Sequence, residues 1–200
     1  MLSRTILAPG IVLYKTDPKI AEAVLEKLKT AMVDNWAQAQ VVNTATYKDE
    51  INLFRKCYDC ALGRQILKTE DEEKKELFRR TDSWISESFN NFISEYNIEP
   101  LTEDDYVYIR YEESDKFGHH IDDGKKFPRT VSISAYLNDD YEGGELEFNN
   151  FGIKIKPQVG DIVIFCSAFP YVHEVHPVIS GTRYAVVNWH RYATYPKMME

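Results

Sequence analysis

The chain has 200 residues, 44% of them hydrophobic and 13% aromatic, and a formal net charge of −8; this suits a single domain with a sizeable core. No run of about 18 apolar residues occurs, which excludes a spanning helix, and three cysteines are too few for a disulfide scaffold, so a reducing, cytoplasmic setting is expected. The acidic balance argues against nucleic acid as a partner, because a phosphate-tracking surface needs clustered Lys and Arg.

Met1–Gly10 carries too short an apolar stretch for a secretory signal. A short strand is expected near Ile11–Tyr14, and Asp17-Pro18 then supplies an N-cap with proline in the first helical position. Ile20, Ala21, Val24, Leu25, Leu28 and Met32 recur at helical spacing behind it. Residues 35–68 are ambiguous. They hold Cys57 and Cys60, a lone Cys-x-x-Cys with no further ligands at zinc spacing, which reads as two structural thiols; Cys166, in an apolar strand, reads as core. Thr69-Glu-Asp-Glu72 has the capping-box pattern, and a second helix runs from it through Leu77, Phe78, Trp84, Ile85, Phe89, Ile93 and Tyr96 to the break at Pro100.

From Asp105 onward the period changes to two, between clusters of Gly, Asp, Asn and Pro. The expected strands are 106–111, 118–122, 130–138, 145–148, 153–156, 161–166, 171–176 and 182–190. The fold class that follows is mostly β with α: a jelly roll backed by N-terminal helices. The expected organisation is one domain over 1–200, with 1–104 mainly helical support and 105–191 the jelly-roll core. In 131–138, Val131, Ile133, Ala135 and Leu137 share an apolar face toward the helices, leaving Ser132, Ser134, Tyr136 and Asn138 to line a polar cavity. In the last strand Arg183, Ala185, Val187 and Trp189 share one face.

His120 and Asp122 are two residues apart, so on an extended strand they point the same way, and His173 supplies a third donor from a distance. Two imidazoles and one carboxylate are the facial triad of non-haem Fe(II) sites. His119 has Ile121 where an acid would be needed, and His176 precedes Pro177 close to Arg183. These two and His190 are set aside as ligands, as is Asp123, which lies on the opposite face. A guanidinium deep in a barrel needs an anion, and Arg183 stands ten residues beyond His173.

In order, the chain reads His120-Ile-Asp122, Tyr136-Leu-Asn138, Gly143-Gly144 before Phe148, Pro157-Gln-Val-Gly160-Asp161, and His173-Glu-Val-His-Pro-Val-Ile-Ser-Gly-Thr-Arg183. This series resembles the 2-oxoglutarate/Fe(II)-dependent dioxygenases of the prolyl 4-hydroxylase-like branch, over residues 105 to 191. The resemblance implies a double-stranded β-helix, Fe(II) on His120, Asp122 and His173, and 2-oxoglutarate with O2 completing the site. It assigns Arg183 and the Tyr136 hydroxyl to the C5 carboxylate of 2-oxoglutarate and Tyr111 to the pocket wall. Ascorbate would be a supporting reductant. The implied reaction is hydroxylation of a prolyl residue in a peptide or protein, with Arg129 and Trp189 as candidate substrate contacts and 123–128 as a loop the substrate could pass. The fold also hosts oxygenases of free amino acids, other small molecules and nucleobases, and non-catalytic binding modules. A metal-dependent hydrolase would have no use for Arg183 and the tyrosines.

Overall fold

The computed structural model describes residues 2–42, 48–99, 101–125 and 128–192. It is mostly β, with two helices. Helix α1, Pro18–Ala31, begins as expected: Asp17 caps it by accepting from the Lys19 N–H at 3.0 Å, and Pro18 occupies the first turn. Helix α2, Glu72–Glu95, starts later than the capping box suggests. Asp71 is its N-cap, accepting from the Lys74 N–H at 3.0 Å, while the Thr69 hydroxyl donates to Ile66 O and closes the 3₁₀ turn Arg64–Lys68. No described helix is long and apolar enough to cross a membrane.

A major antiparallel sheet runs in the order Ser3–Ala8, Ile11–Lys15, Asp161–Cys166, Val131–Tyr136, Arg183–Tyr192, Tyr106–Tyr111, Tyr58–Leu62 and Ala37–Gln38, with Leu101–Glu103 also on Arg183–Tyr192. A minor sheet runs Ile153–Ile155, Leu146–Phe148, His173–Val175, Lys116–His120 and Arg55–Lys56. Strands 106–111 and 161–166 have the expected bounds, the other six expected strands shift by one or two residues at one or both ends, and Glu142–Gly143 and Val178–Ser180 were not expected. The first hundred residues give more strand than their sequence suggested. Ser3–Ala8 and Tyr58–Leu62 both belong to the major sheet, and part of the ambiguous 35–68 segment forms short strands.

Two cores follow from this layering. Under the helices, Ala21, Val24 and Leu28 of α1 and Leu77, Phe78 and Phe92 of α2 pack on Val12, Val131, Ile133, Ala135 and Ile164 of the major sheet. The second core lies between the sheets and joins Ile109, Tyr136, Val163 and Phe165 to Leu146, Phe148 and Val175. Cys57 belongs to the inter-sheet core and Cys60 to the helix-side core, both buried and unpaired, so they share no metal. Burial pushes the thiol of Cys57 up to about 11 and that of Cys60 up to about 12, which keeps both protonated and inert. Cys166 is only half-buried, at the end of its strand, rather than a core residue.

Candidate functional site

Sheet register brings the two histidines together. Lys116–His120 and His173–Val175 are antiparallel neighbours with His120 opposite His173, and their ring centroids are 4.2 Å apart. Asp122 reaches them by another route than a shared strand face. The strand ends at His120, and Asp122 sits in a bend beyond it, its N–H donating to Ser167 O at 3.0 Å. Its carboxylate oxygens lie 3.6 Å from His120 Nε2 and 3.8 Å from His173 Nε2. One donor atom from each of the three falls within 4.8 Å of the others.

Each imidazole is oriented by its other nitrogen. His120 Nδ1 lies 2.8 Å from Gly118 O and His173 Nδ1 lies 3.1 Å from Tyr171 O. A carbonyl can only accept, so both Nδ1 atoms carry a proton, and each ring turns its Nε2 toward Asp122. Phe117 stacks on His120 with centroids 3.6 Å apart. Burial pushes His173 down to about 4, with His120 adding to it, so this ring is neutral at neutral pH. Burial pushes the Asp122 carboxyl up, but the His173 and His120 imidazoles outweigh it and hold the group below the usual carboxylate range. A neutral imidazole at His173 and an ionised carboxylate at Asp122 are protonation states that suit a divalent cation.

The three donors open on a cavity of about 470 Å³, which Arg183, Tyr111, Arg129 and Trp189 also line. Arg183 is 2% exposed, and no described carboxylate pairs with it. Cross-strand pairing sets Tyr111 opposite it, and Tyr136 comes from the strand on the other side. The guanidinium carbon lies 4.9 Å from the Tyr111 ring centre and 5.0 Å from that of Tyr136. Arg183 Nε and the hydroxyls of Tyr136 and Tyr141 are buried without hydrogen-bond partners. A buried cation surrounded by idle donors is a site for an anion. The Arg129 guanidinium carbon lies over the Trp189 ring, 3.6 Å from its centre.

Residues 106–191 match the sequence model of the 2OG-Fe(II) oxygenase superfamily. That segment belongs to the 2OG-Fe(II) oxygenase superfamily. A PKHD-type hydroxylase of Maricaulis maris is 35% identical over 98 residues, 46% of this chain and 44% of that protein. One from Colwellia psychrerythraea is 38% identical over 82 residues, 36% of either chain. The chain thus aligns with less than half the length of these relatives. In fold, it is similar to a Trichoplax adhaerens prolyl hydroxylase solved with a hypoxia-inducible-factor peptide, with a TM-score of 0.69 at 20% identity, covering 90% of this chain and 83% of the other. A Pseudomonas putida prolyl-4-hydroxylase gives 0.68 at 18% identity, covering 92% and 94%.

The oxygenase superfamily implies Fe(II), 2-oxoglutarate and O2, and the residues fit: two free imidazole nitrogens and a carboxylate for the metal, an unpaired buried guanidinium for the dicarboxylate. All eight residues singled out from the sequence lie at this cavity, either lining it or, for Tyr136, packed on Arg183. Asp123 accepts from the Arg129 N–H at 3.0 Å. His190 is across the sheet, stacked on Phe89 at 3.8 Å. His119 and His176 lie 2.7 Å from Glu174 and Glu147, in a side-chain network where Lys154 also neutralises Glu147. Of the loop 123–128, Lys126 and Phe127 fall outside the described residues, and Asp123, Gly124 and Lys125 line the cavity. Sequence reasoning missed Tyr141, whose only local signal is its place just before Gly143-Gly144.

Proposed function

We propose that the chain is an Fe(II)- and 2-oxoglutarate-dependent dioxygenase that hydroxylates a prolyl residue in a peptide or protein. The observation that carries it is one cavity with a two-His, one-carboxylate cluster at one position and an unpaired buried arginine at another. We read the two facing sheets as the double-stranded β-helix common to such enzymes. His120, Asp122 and His173 would hold the iron on one face, leaving the opposite positions to the cavity. With O2 and 2-oxoglutarate, iron there supplies the oxidant for a C–H bond, and succinate and CO2 are released.

The protein's own part is geometry and exclusion. Backbone carbonyls fix both imidazole rings, so the donor set is preorganised before metal arrives. Arg183 grips the distal carboxylate with its fork and, with Tyr136, fixes how far 2-oxoglutarate can reach toward the metal. Leu146, Phe165 and Val175 form apolar walls that keep bulk water away. The Arg129–Trp189 stack gives a platform for a substrate ring or backbone. No side chain needs to act as a general base. Relatives named as hydroxylases, and neighbours in fold named as prolyl hydroxylases, support the prolyl substrate.

The test is incubation of the protein with Fe(II), ascorbate, 2-oxoglutarate and a proline-rich peptide library under labelled O2, read by mass spectrometry. One labelled oxygen on proline, matched by succinate, is expected. Succinate formed with free proline or a methylated nucleobase, and with no peptide, would keep the oxygenase and overturn the peptide substrate. No succinate under any condition would overturn both.

A further inference from the structure

Tyr141 belongs to no element of the motif series, yet it is 6% exposed and its hydroxyl is buried without a partner. Two buried tyrosines under the helices satisfy this group, Tyr106 donating to Asp82 at 2.9 Å and Tyr108 sharing a hydrogen with Thr81 at 2.8 Å, whereas Tyr14 there does not. Tyr141 differs in its neighbour. A Cβ placed on Gly144 would meet Arg183 Cδ at 2.9 Å and Tyr141 Cε2 at 3.1 Å, so both side chains close on this glycine from two directions. Gly143 and Gly144 have φ of 72° and 64°, a left-handed pair that turns the chain back toward Arg183.

Lys156 locks the arrangement. Its ammonium sits 3.7 Å from the centre of the Tyr141 ring and donates to Tyr141 O at 3.0 Å and Gly143 O at 2.6 Å. Burial pushes the Tyr141 phenol up to about 12, only partly opposed by Arg183, so it stays protonated and able to donate. A carboxylate offers roughly four lone-pair sites. With a bound dicarboxylate the Arg183 fork would fill two and the Tyr136 hydroxyl a third.

Resting on the oxygenase reading above, we propose that Tyr141 is a further anchor for the distal carboxylate of 2-oxoglutarate, its hydroxyl donating the remaining hydrogen bond beside Arg183 and Tyr136. Lys156 is then a positioning residue, acting through the Gly143-Gly144 turn. The consequence is selectivity. Tyr141 reads the far carboxylate, so it separates 2-oxoglutarate from chelating acids that lack one.

The experiment uses the full chain loaded with Mn(II), which avoids turnover, and equilibrium dialysis of labelled 2-oxoglutarate and of oxalate. Oxalate has the chelating end and no distal carboxylate. Tyr141→Phe should weaken 2-oxoglutarate roughly tenfold and leave oxalate unchanged; Lys156→Met should show the same selectivity with a smaller loss. Unchanged 2-oxoglutarate affinity in Tyr141→Phe would overturn the proposal while the oxygenase reading stands. Equal weakening of both ligands would overturn it as well, by making the ring a structural support. If wild-type protein binds neither ligand, the oxygenase reading itself fails.

Discussion

Along Val131–Tyr136, Val131, Ile133 and Ala135 enter the core under the helices, whereas Tyr136 enters the inter-sheet core and Ser134 lines the cavity. The neighbouring strand Arg183–Tyr192 divides the same way: Val186 and His190 pack on the helix side, while Arg183, Ala185, Val187 and Trp189 line the cavity. One sheet therefore has two faces built on different rules. On the helix side Thr81 is satisfied by Tyr108 and Trp84 by Thr16, and the exceptions, Tyr14, Ser88, Asn188 and His190, are scattered. On the cavity side three of the unsatisfied groups, Arg183 Nε and the hydroxyls of Tyr136 and Tyr141, belong to one cluster at the Arg183 guanidinium. The helix side is finished by folding; the cavity side keeps buried donors that a ligand would satisfy.

The sharpest way to break this contrast is to damage the helix side alone. Phe92 is fully buried there, and Phe92→Ala should cost about 3–5 kcal/mol of stability. Chemical denaturation would measure that loss, and dialysis should find the folded fraction binding 2-oxoglutarate as the wild type does. Loss of affinity in step with stability would mean that the two faces are not separable.

A second test uses pH. Burial pushes His190 down to about 4, whereas the unfolded chain protonates it near the ordinary histidine value of about 6.5. Between those values the unfolded state binds more protons, so stability falls as pH drops through that window and is fully present above it. The contribution is at most about 3 kcal/mol, at roughly 1.4 kcal/mol per pKa unit. In metal-free protein, His190→Phe should flatten the fall in stability between about pH 6.5 and 4, measured by denaturation at each pH. His173, also pushed down to about 4, acts in the same direction and would leave a residual slope.

The cavity side should respond the other way. Arg183→Met removes charged hydrogen bonds of about 1.5–3 kcal/mol, so the 2-oxoglutarate requirement should rise roughly tenfold to a hundredfold. Stability and metal affinity without 2-oxoglutarate should barely move. Unchanged 2-oxoglutarate affinity would place the anchor elsewhere.

How much of this was readable from residues alone followed from how local each cause is. The face of Arg183, Ala185, Val187 and Trp189 came from strict alternation, and Asp17-Pro18 marked a helix start by local chemistry. Ser3–Ala8 was missed because its first four residues are exposed, which leaves no buried stripe to read. Asp122 was placed near the right partners for the wrong reason, since a backbone bond to Ser167 on a distant strand end, not strand pleating, sets its position. Tyr141 was invisible because its importance lies in what a glycine turn brings it against. Thr69 lost the α2 cap to Asp71 because the preceding 3₁₀ turn used its hydroxyl.

The central claim, that the described cluster is the iron site of a 2-oxoglutarate oxygenase, is tested most directly by anaerobic equilibrium dialysis of Fe(II) against wild-type protein and a variant with His120, Asp122 and His173 all changed to Ala. The wild type should bind a single tight equivalent and the folded variant none. Equal binding stoichiometry in the two proteins would contradict the assignment.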